Sequence, residues 1–391
     1  MTRKITLLCA LALVISLLSG CQFMTNGEYL SVTDHENSES GEDQRGVIVS
    51  ASNYEELTAA MLSFVSHHDS YGIIRAVGYD GDIEAEASEA CMEVSYNTPM
   101  GAYAVYYMSC SVSKIVSYYE VELSITYKKT AEEIDAVEKL TSRYGIQSKM
   151  AVALGSYGRT VAFYTDSTEM TEEFFQDIIE ELYYKKGTSP VAIPDVSVTF
   201  YPEESQPTEL RIIEVDFNYM FSPSTMINVE KELMRNVKQL ADEAEGLNDQ
   251  EALFLMCTRL AAIAEYVPDP EDDGLYDRAD TRYTAYGALV GGKAASEGLA
   301  MGYKLLCDEL GIEALVVTGR YNGNKHAWNI VNLNGTYYHV DVSRCFAEGV
   351  AEIFLKSDNE MPSAYKWDRE KYVECPTSYP EMLGRPSAGR I

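Results

Sequence analysis

The dipeptide Asn334-Gly335 is the feature that most narrows what the C-terminal part of this chain can fold into. It lies between two segments that alternate apolar and polar residues, "HAWNIVNL" and "TYYHVDVS", and Asn-Gly is the strongest two-residue signal for a β-hairpin. Counting back from the turn pairs Leu333 with Thr336 and, further along, Trp328 with Asp341. The alternation predicts that one face of the hairpin carries His326, Trp328, Ile330, Tyr337, His339 and Asp341.

A glycine turn that leads into a helix precedes this hairpin, in the stretch "GGKAASEGLAMGYKLLCDELGI" of residues 291–312. Apolar residues recur at helical spacing from Leu299 onward, and Gly311 followed by Ile312 is typical of a left-handed helix end. Ser296 therefore lies at the N-terminus of the helix, where unpaired amides and the helix dipole favour negative charge. A Cys there would have its pKa lowered from about 8.5 toward neutrality.

His326 and Asp341 are diagonal neighbours across the predicted hairpin, about 7–8 Å apart at the backbone and within reach of each other's side chains. Asp341 could therefore orient the imidazole of His326 toward a nucleophile at position 296. Trp328, beside the histidine, is expected either to wall a cleft or to belong to the core.

Three segments of the chain, in this order, closely resemble the bacterial transglutaminase-like domain, whose fold is papain-like. They are "GALVGGKAASEGLAMGYKLLCDELGIEALVVTG", "HAWNIVNLNGTYYHVDVS" and "FLKSDNEM", and the resemblance covers about residues 250–370. It implies an α+β domain over 246–380, with helices on an antiparallel sheet. The family's catalytic Cys, His and Asp fall on Ser296, His326 and Asp341, so that the nucleophile alone departs from the pattern.

Serine at position 296 replaces the residue on which the family's chemistry depends. In that family a thiolate paired with imidazolium attacks a carboxamide, and amine or water then resolves the thioester. An alcohol has a far higher pKa than a thiol, so no resting ion pair with His326 is expected, and losing a triad nucleophile typically costs on the order of 10⁶ in turnover. Ser296 would then be simply the N-cap of its helix.

The sequence leaves three functions open, of which the first two depend on the residue at position 296 and the third on the large non-catalytic region that precedes the C-terminal domain. The favoured one is a catalytically inactive or impaired domain that binds a peptide, a protein or the cell wall in its former cleft. The alternative is an active acyl-transfer enzyme or amide hydrolase with Ser296, His326 and Asp341 as its triad. A third is an adaptor that packs against the N-terminal modules or another envelope protein.

The region 50–245 contains alternating helical and strand-like segments and nothing that resembles a catalytic motif. The segments "EVELSITYKKTAEEIDAVEKL" and "EVDFNYMFSPSTMINVEKEL" share the succession of strand, turn and helix. Two similar α+β modules, at about 50–150 and 160–245, are therefore possible. A short polar tail, 381–391, is expected after the C-terminal domain.

The first 49 residues are interpreted as a targeting segment and a tether. Arg3 and Lys4 precede the apolar run "ITLLCALALVISLL", which ends in "LSGC" and resembles the lipobox of bacterial lipoproteins. The expected signal peptide is 1–20, with lipid on Cys21 holding the protein on the outer face of a membrane. The acidic stretch 21–49 is expected to be a flexible tether.

Composition excludes some partners and cofactors. Lys and Arg total 31 against 61 Asp and Glu, a net charge of -30, so nucleic acid is not expected to bind. Without a CxxC motif or a His–Cys cluster, neither a metal site nor another cofactor is expected. Disulfides are conceivable in an exported protein, with Cys91–Cys110 and Cys345–Cys375 as candidate pairs among fifteen full pairings of six cysteines.

Overall fold

Two repeats of strands and helices precede the C-terminal hairpin. The computed structural model describes residues 48–167, 170–187, 190–203, 210–219, 221–268, 280–346 and 350–379. The first repeat consists of β1 (Ile48–Ala51), α1 (Tyr54–Ser66), β2 (Tyr71–Ala76), α2 (Ile83–Met92), α3 (Pro99–Ala104), β3 (Val105–Ile115), β4 (Tyr118–Tyr127) and α4 (Ala131–Asp135). Its four-stranded sheet has the order β1-β2-β4-β3.

The second repeat reproduces this topology. It consists of β5 (Glu138–Lys139), α5 (Arg143–Gly155), β6 (Thr160–Thr165), α6 (Glu172–Lys186), β7 (Asp195–Tyr201), β8 (Arg211–Asn218) and α7 (Pro223–Ala241). The strand order β5-β6-β8-β7 matches that of the first sheet, and in both sheets the first pair is parallel and the other two are antiparallel. The two similar sequence segments fall on β4–α4 and β8–α7, which occupy equivalent places in the repeats.

The C-terminal part is a helical layer on an antiparallel sheet. Its elements are α8 (Asp249–Ile263), β9 (Glu265–Tyr266), β10 (Lys293–Ala294), α9 (Ser296–Glu309), β11 (Ala314–Tyr321), β12 (Asn324–Leu333), β13 (Thr336–Val340), β14 (Cys345–Phe346), β15 (Val350–Ala351), β16 (Phe354–Lys356) and β17 (Tyr365–Lys366). The five-stranded sheet has the order β16-β13-β12-β11-β17, and all its pairs are antiparallel. The predicted α+β class is confirmed.

Local chemistry explains where several elements begin and turn. The capping box of Asn248 and Glu251 opens α8, because each side chain accepts a hydrogen bond from the other residue's backbone amide. Asn334 and Gly335 both have positive φ angles, 55° and 82°, as a tight hairpin turn requires. The register Leu333–Thr336 that was counted from this turn is present, and the ladder ends at Asn329–Val340.

The buried core does not break at residue 246. One cluster contains Phe163 and Phe217 of the second repeat together with Leu260, Tyr303 and other residues of the C-terminal part. The core of the first repeat is a separate cluster that also contains Ala162 and Ile212 of the second repeat, and a smaller cluster around Trp328 lies on the other face of the C-terminal sheet. The helix that carries Ser296 is therefore supported by the second repeat as well as by its own sheet.

The predicted signal peptide, Cys21, the tether and the tail 381–391 lie outside the described residues. Within the described ranges, no helix combines the length and the apolar character needed to cross a membrane.

Candidate active site

Ser296 is the first residue of α9, but it is not the helix cap. The N-cap is Ala295, whose side chain cannot accept a hydrogen bond, so the N-cap interpretation of Ser296 is wrong. The Ser296 hydroxyl points instead toward the hairpin, where its Oγ accepts a 3.0 Å hydrogen bond from the backbone amide of Ala327. Its residue is only 1% exposed, so a substrate has no open path to this oxygen in the structure.

The first turn of α9 is held by close backbone packing and by the second repeat. A Cβ atom on Gly298 would overlap the carbonyl oxygen of Arg282 and lie 2.9 Å from that of Thr284, so only glycine fits there. The buried carboxylate of Glu297 accepts a 2.8 Å hydrogen bond from the hydroxyl of Tyr184, which belongs to α6. These contacts fix the position of Ser296.

His326 and Asp341 form a buried hydrogen-bonded pair, as their diagonal placement predicted. His326 Nε2 lies 2.7 Å from Asp341 Oδ2, and both side chains are almost fully buried. A carboxylate can only accept, so Nε2 carries the proton and Nδ1 is the nitrogen through which this imidazole can act as a base. Asp341 therefore fixes the tautomer and the orientation of the imidazole, which is the role of the acidic member of a triad.

Asp341 is held in its ionised form by two residues that sequence reasoning missed. Tyr365 donates to Oδ2 at 2.6 Å, and the amide and hydroxyl of Ser343 donate to Oδ1 at 2.9 and 2.7 Å. Burial alone would raise the pKa of Asp341, but the hydrogen bonds from His326, Tyr365 and Ser343 hold it below its usual value. Ser343 lies two residues after Asp341, so the sequence allows it to be recognised as a local donor. Tyr365 lies in β17, far from Asp341 in the sequence, and no local pattern indicates its contact.

Aromatic rings surround the imidazole. The indole of Trp328 stacks on His326 with centroids 6.1 Å apart and planes at 26°, and the rings of Tyr321 and Tyr365 lie 5.5 and 5.8 Å away. Trp328 is completely buried, so it belongs to the core beneath the site and not to an exposed wall.

A second buried network runs beside the first. Trp328 Nε1 donates to His339 Nδ1 at 3.0 Å, His339 Nε2 lies 2.9 Å from Asp358 Oδ1, and Asp358 Oδ2 accepts from the Cys375 amide at 3.0 Å. His339, Asp358 and Cys375 offer ligand atoms within 4.8 Å of one another, as a metal site would. However, the indole N–H can only donate, so Nδ1 is unprotonated and Nε2 carries the proton. A metal on Nε2 would need the opposite tautomer, and this set therefore does not fit a metal.

The six cysteines in the described part of the chain are all thiols: Cys91, Cys110, Cys257, Cys307, Cys345 and Cys375. The candidate pair Cys91–Cys110 is in contact, since the two thiols are within hydrogen-bonding reach. The candidate pair Cys345–Cys375 is wrong, because Cys345 contacts Cys257 in one core cluster while Cys375 belongs to another. Cys307 is fully buried, and burial raises its pKa, so it cannot replace the missing nucleophile.

Comparison with known proteins gives similarities among solved structures alone. No protein-family model matches the chain, and no curated protein matches it. A structure described as a TGase is 12% identical over 84% of this chain and 64% of its own, with a TM-score of 0.27. A putative cysteine protease from Cytophaga hutchinsonii is 14% identical over 41% of this chain and 65% of its own, with a TM-score of 0.23. The chain thus spans less than two thirds of either protein.

The periplasmic domain of TgpA from Pseudomonas aeruginosa is also similar, with 14% identity over 40% of this chain and 68% of that domain, and a TM-score of 0.23. The proteins that resemble this chain are thus described as a transglutaminase and a cysteine protease, among others.

Proposed function

We propose that this chain is a lipid-anchored extracytoplasmic bacterial protein whose transglutaminase-like domain binds a peptide without turning it over. The three sequence segments that resemble the family and the buried His326–Asp341 pair support the domain assignment. The lipobox-like "LSGC" supports the anchor on Cys21.

The Ser296 hydroxyl is the observation that carries the absence of turnover. It is a neutral alcohol, it is 1% exposed, and its oxygen already accepts a hydrogen bond from the Ala327 amide. In a thiol enzyme that amide and the helix N-terminus would stabilise a thiolate, but neither can ionise an alcohol at neutral pH. The site therefore lacks the ionised nucleophile that starts acyl transfer in a thiol enzyme.

Partly exposed aromatic side chains next to the buried pair support peptide binding. Tyr321, Trp367 and Tyr372 pack against the cluster that contains Trp328 while keeping part of their surfaces in solvent. The guanidinium of Arg369 lies over the Trp367 ring at 4.8 Å. Aromatic rings with a nearby cation are typical of surfaces that hold peptides, because they offer large contact areas at low entropic cost.

Calorimetric titration with soluble cell-wall peptides and with a glutamine-containing peptide tests this function. We expect saturable binding to one of these, with about tenfold weaker affinity in Trp367→Ala and no change in the control Tyr106→Ala, whose side chain is exposed in the first repeat. No binding of any of these peptides, or equal weakening by both variants, would contradict the proposal.

The intact His326–Asp341 pair favours one second candidate, a hydrolase or acyl transferase that uses Ser296 as its nucleophile. In that case His326 would remove the serine proton only during attack, as in serine enzymes. A fluorophosphonate probe distinguishes the two functions, since labelling of Ser296 that disappears in His326→Ala would establish the enzyme.

Lipid anchoring has its own test. In the producing cell, a fatty acid that carries an alkyne is expected to label the wild-type chain, and the chain is expected to sediment with membranes. Cys21→Ser should lose both properties, whereas Cys375→Ser should keep them. Labelling that persists in Cys21→Ser would place the lipid elsewhere.

A further inference from the structure

The six cysteine thiols in the described part of the chain include two interacting pairs, and Cys307 lies near one of these pairs. Cys257 contacts Cys345, and Cys91 contacts Cys110. Cys307 lies within reach of the Tyr303 hydroxyl, and Cys375 lies beside Asp358. Sequence spacing suggests no such division, because the members of each pair come from different elements.

The pair Cys257–Cys345 joins the first helix of the C-terminal part to the segment that follows Asp341. Cys257 lies in α8 and Cys345 begins β14, the two elements pack against each other, and both residues are buried. Cys345 is held in place because β14 pairs with β15 and because Arg344 forms an ion pair with Glu352. Neither sulfur therefore has to move far to meet the other.

The pair Cys91–Cys110 lies in the first repeat, between α2 and β3. Cys91 is buried, and its Sγ lies 4.0 Å from the sulfur of Met61, whereas Cys110 is partly exposed. The neighbouring Cys91 thiol lowers the pKa of Cys110, so Cys110 is the more readily ionised member of the pair. An accessible thiolate beside a second thiol is the arrangement from which disulfides form readily.

We propose that the exported protein carries two disulfides, Cys257–Cys345 and Cys91–Cys110, with Cys307 and Cys375 kept as thiols. The inference rests on the proposed extracytoplasmic location, because disulfides persist in oxidising compartments. A disulfide between Cys257 and Cys345 would link α8 to the turn that follows Asp341. It would therefore preserve the hydrogen-bonded pair of His326 and Asp341 even when the surrounding loops open.

The reaction needs a disulfide oxidant, either an exported thiol–disulfide oxidoreductase in its disulfide form or glutathione disulfide. The Cys110 thiolate attacks one sulfur of the oxidant, whose S–S bond breaks and releases one thiolate. Cys91, after giving up its proton, attacks the Cys110 sulfur of the mixed disulfide and releases the second thiolate. Each pair thus loses two electrons, which reduce the oxidant to two thiols. The same exchange joins Cys257 to Cys345.

Peptide mapping without reduction tests the pairing. The full chain is unfolded with reductant, refolded with reduced and oxidised glutathione, alkylated under denaturing conditions, and digested with trypsin and with Glu-C, which separates Cys91 from Cys110. We expect one linked peptide for each pair, and alkylated Cys307 and Cys375. Cys345→Ala should return Cys257 to the alkylated state and leave the 91–110 link unchanged.

Alkylation of all six cysteines in the described part of the chain, or a link from Cys257 to Cys307, would overturn the proposal. A link in one pair alone would overturn it for the other pair. The same map of the chain purified from membranes of the producing cells tests the location separately. Linked peptides after refolding but free thiols in cells would overturn the proposed location and not the pairing.

Discussion

The Nε2 atom of His326 lies 2.7 Å from the Oδ2 atom of Asp341, in a pair of side chains that solvent barely reaches. The imidazole is oriented and its tautomer is fixed, as a catalytic base requires, yet the group at position 296 is an alcohol. The domain therefore keeps the His326–Asp341 pair that would activate a nucleophile, but position 296 carries a neutral alcohol and no thiolate.

Ser296→Cys should introduce a thiol of low pKa. The Ala327 amide and the N-terminus of α9 would both stabilise a thiolate at this position, so we expect the alkylation rate of the introduced thiol to rise with pH about a midpoint at least one unit below the ordinary 8.5. The rate profile from pH 5 to 9, measured with iodoacetamide and peptide mass spectrometry, checks this. Burial slows the reaction at every pH, so the midpoint and not the rate is the readout.

Two comparisons within the same chain control that measurement. Cys307 is fully buried with a raised pKa, so it should react slowly throughout this pH range. Adding His326→Ala to Ser296→Cys should move the midpoint upward, because the imidazolium partner is gone. An unchanged midpoint in the double variant would show that His326 does not face position 296.

Tyr365→Phe should weaken the fold by removing a donor from the buried Asp341 carboxylate. The pKa of Asp341 is held below its unfolded value of about 3.9, so its stabilising contribution is present above that pH and is lost as pH falls through the folded pKa. We expect a loss of about 1–3 kcal/mol in the free energy of unfolding at pH 7. Denaturant titration checks this, with the exposed Tyr144→Phe expected to cost nothing.

His339→Gln should flatten the acid dependence of stability. Burial lowers the pKa of His339 in the folded state, although Asp358 opposes the shift. The unfolded chain therefore binds more protons, and stability is lost as pH falls below about 6.5 toward the folded pKa. Unfolding free energies between pH 5 and 7 should show a smaller slope in this variant. The exposed His67→Gln should keep the wild-type slope, and equal slopes in all three proteins would refute the assignment.

Gly298→Ala should disturb the start of α9. The new methyl group would overlap the carbonyl oxygen of Arg282, which is backbone and cannot turn aside. We expect a loss of about 1–3 kcal/mol or more in unfolding free energy. Gly155→Ala is the matched control, since its Cβ would meet nothing within 4 Å at the end of α5 and should be neutral or stabilising. Equal behaviour of the two variants in thermal unfolding would contradict the packing described here.

Most of the structural features that the sequence predicts depend on local interactions between residues close in the chain. The Asn334-Gly335 turn fixes the register of the hairpin, and that register brings His326 and Asp341 together. The cap of α8 and the left-handed Gly311 were likewise readable, because each depends on residues within one turn of it.

Contacts between distant segments could not be predicted in the same way. Tyr365 reaches Asp341 from β17, and Cys257 meets Cys345 across the C-terminal part, because the packing of whole elements decides these neighbours. Ser296 was expected to cap its helix, as serine often does, but the hairpin offers its hydroxyl the Ala327 amide instead. A tertiary partner thus overrode a local preference.

The most direct test of the account is ammonia release from a glutamine peptide by the purified wild-type protein, measured beside Ser296→Cys and Ser296→Ala. We predict no release above background from the wild type or from Ser296→Ala, because an alcohol at this position is not ionised at neutral pH and forms no ion pair with His326. Release by the wild type that disappears in Ser296→Ala would contradict the account and establish a serine enzyme.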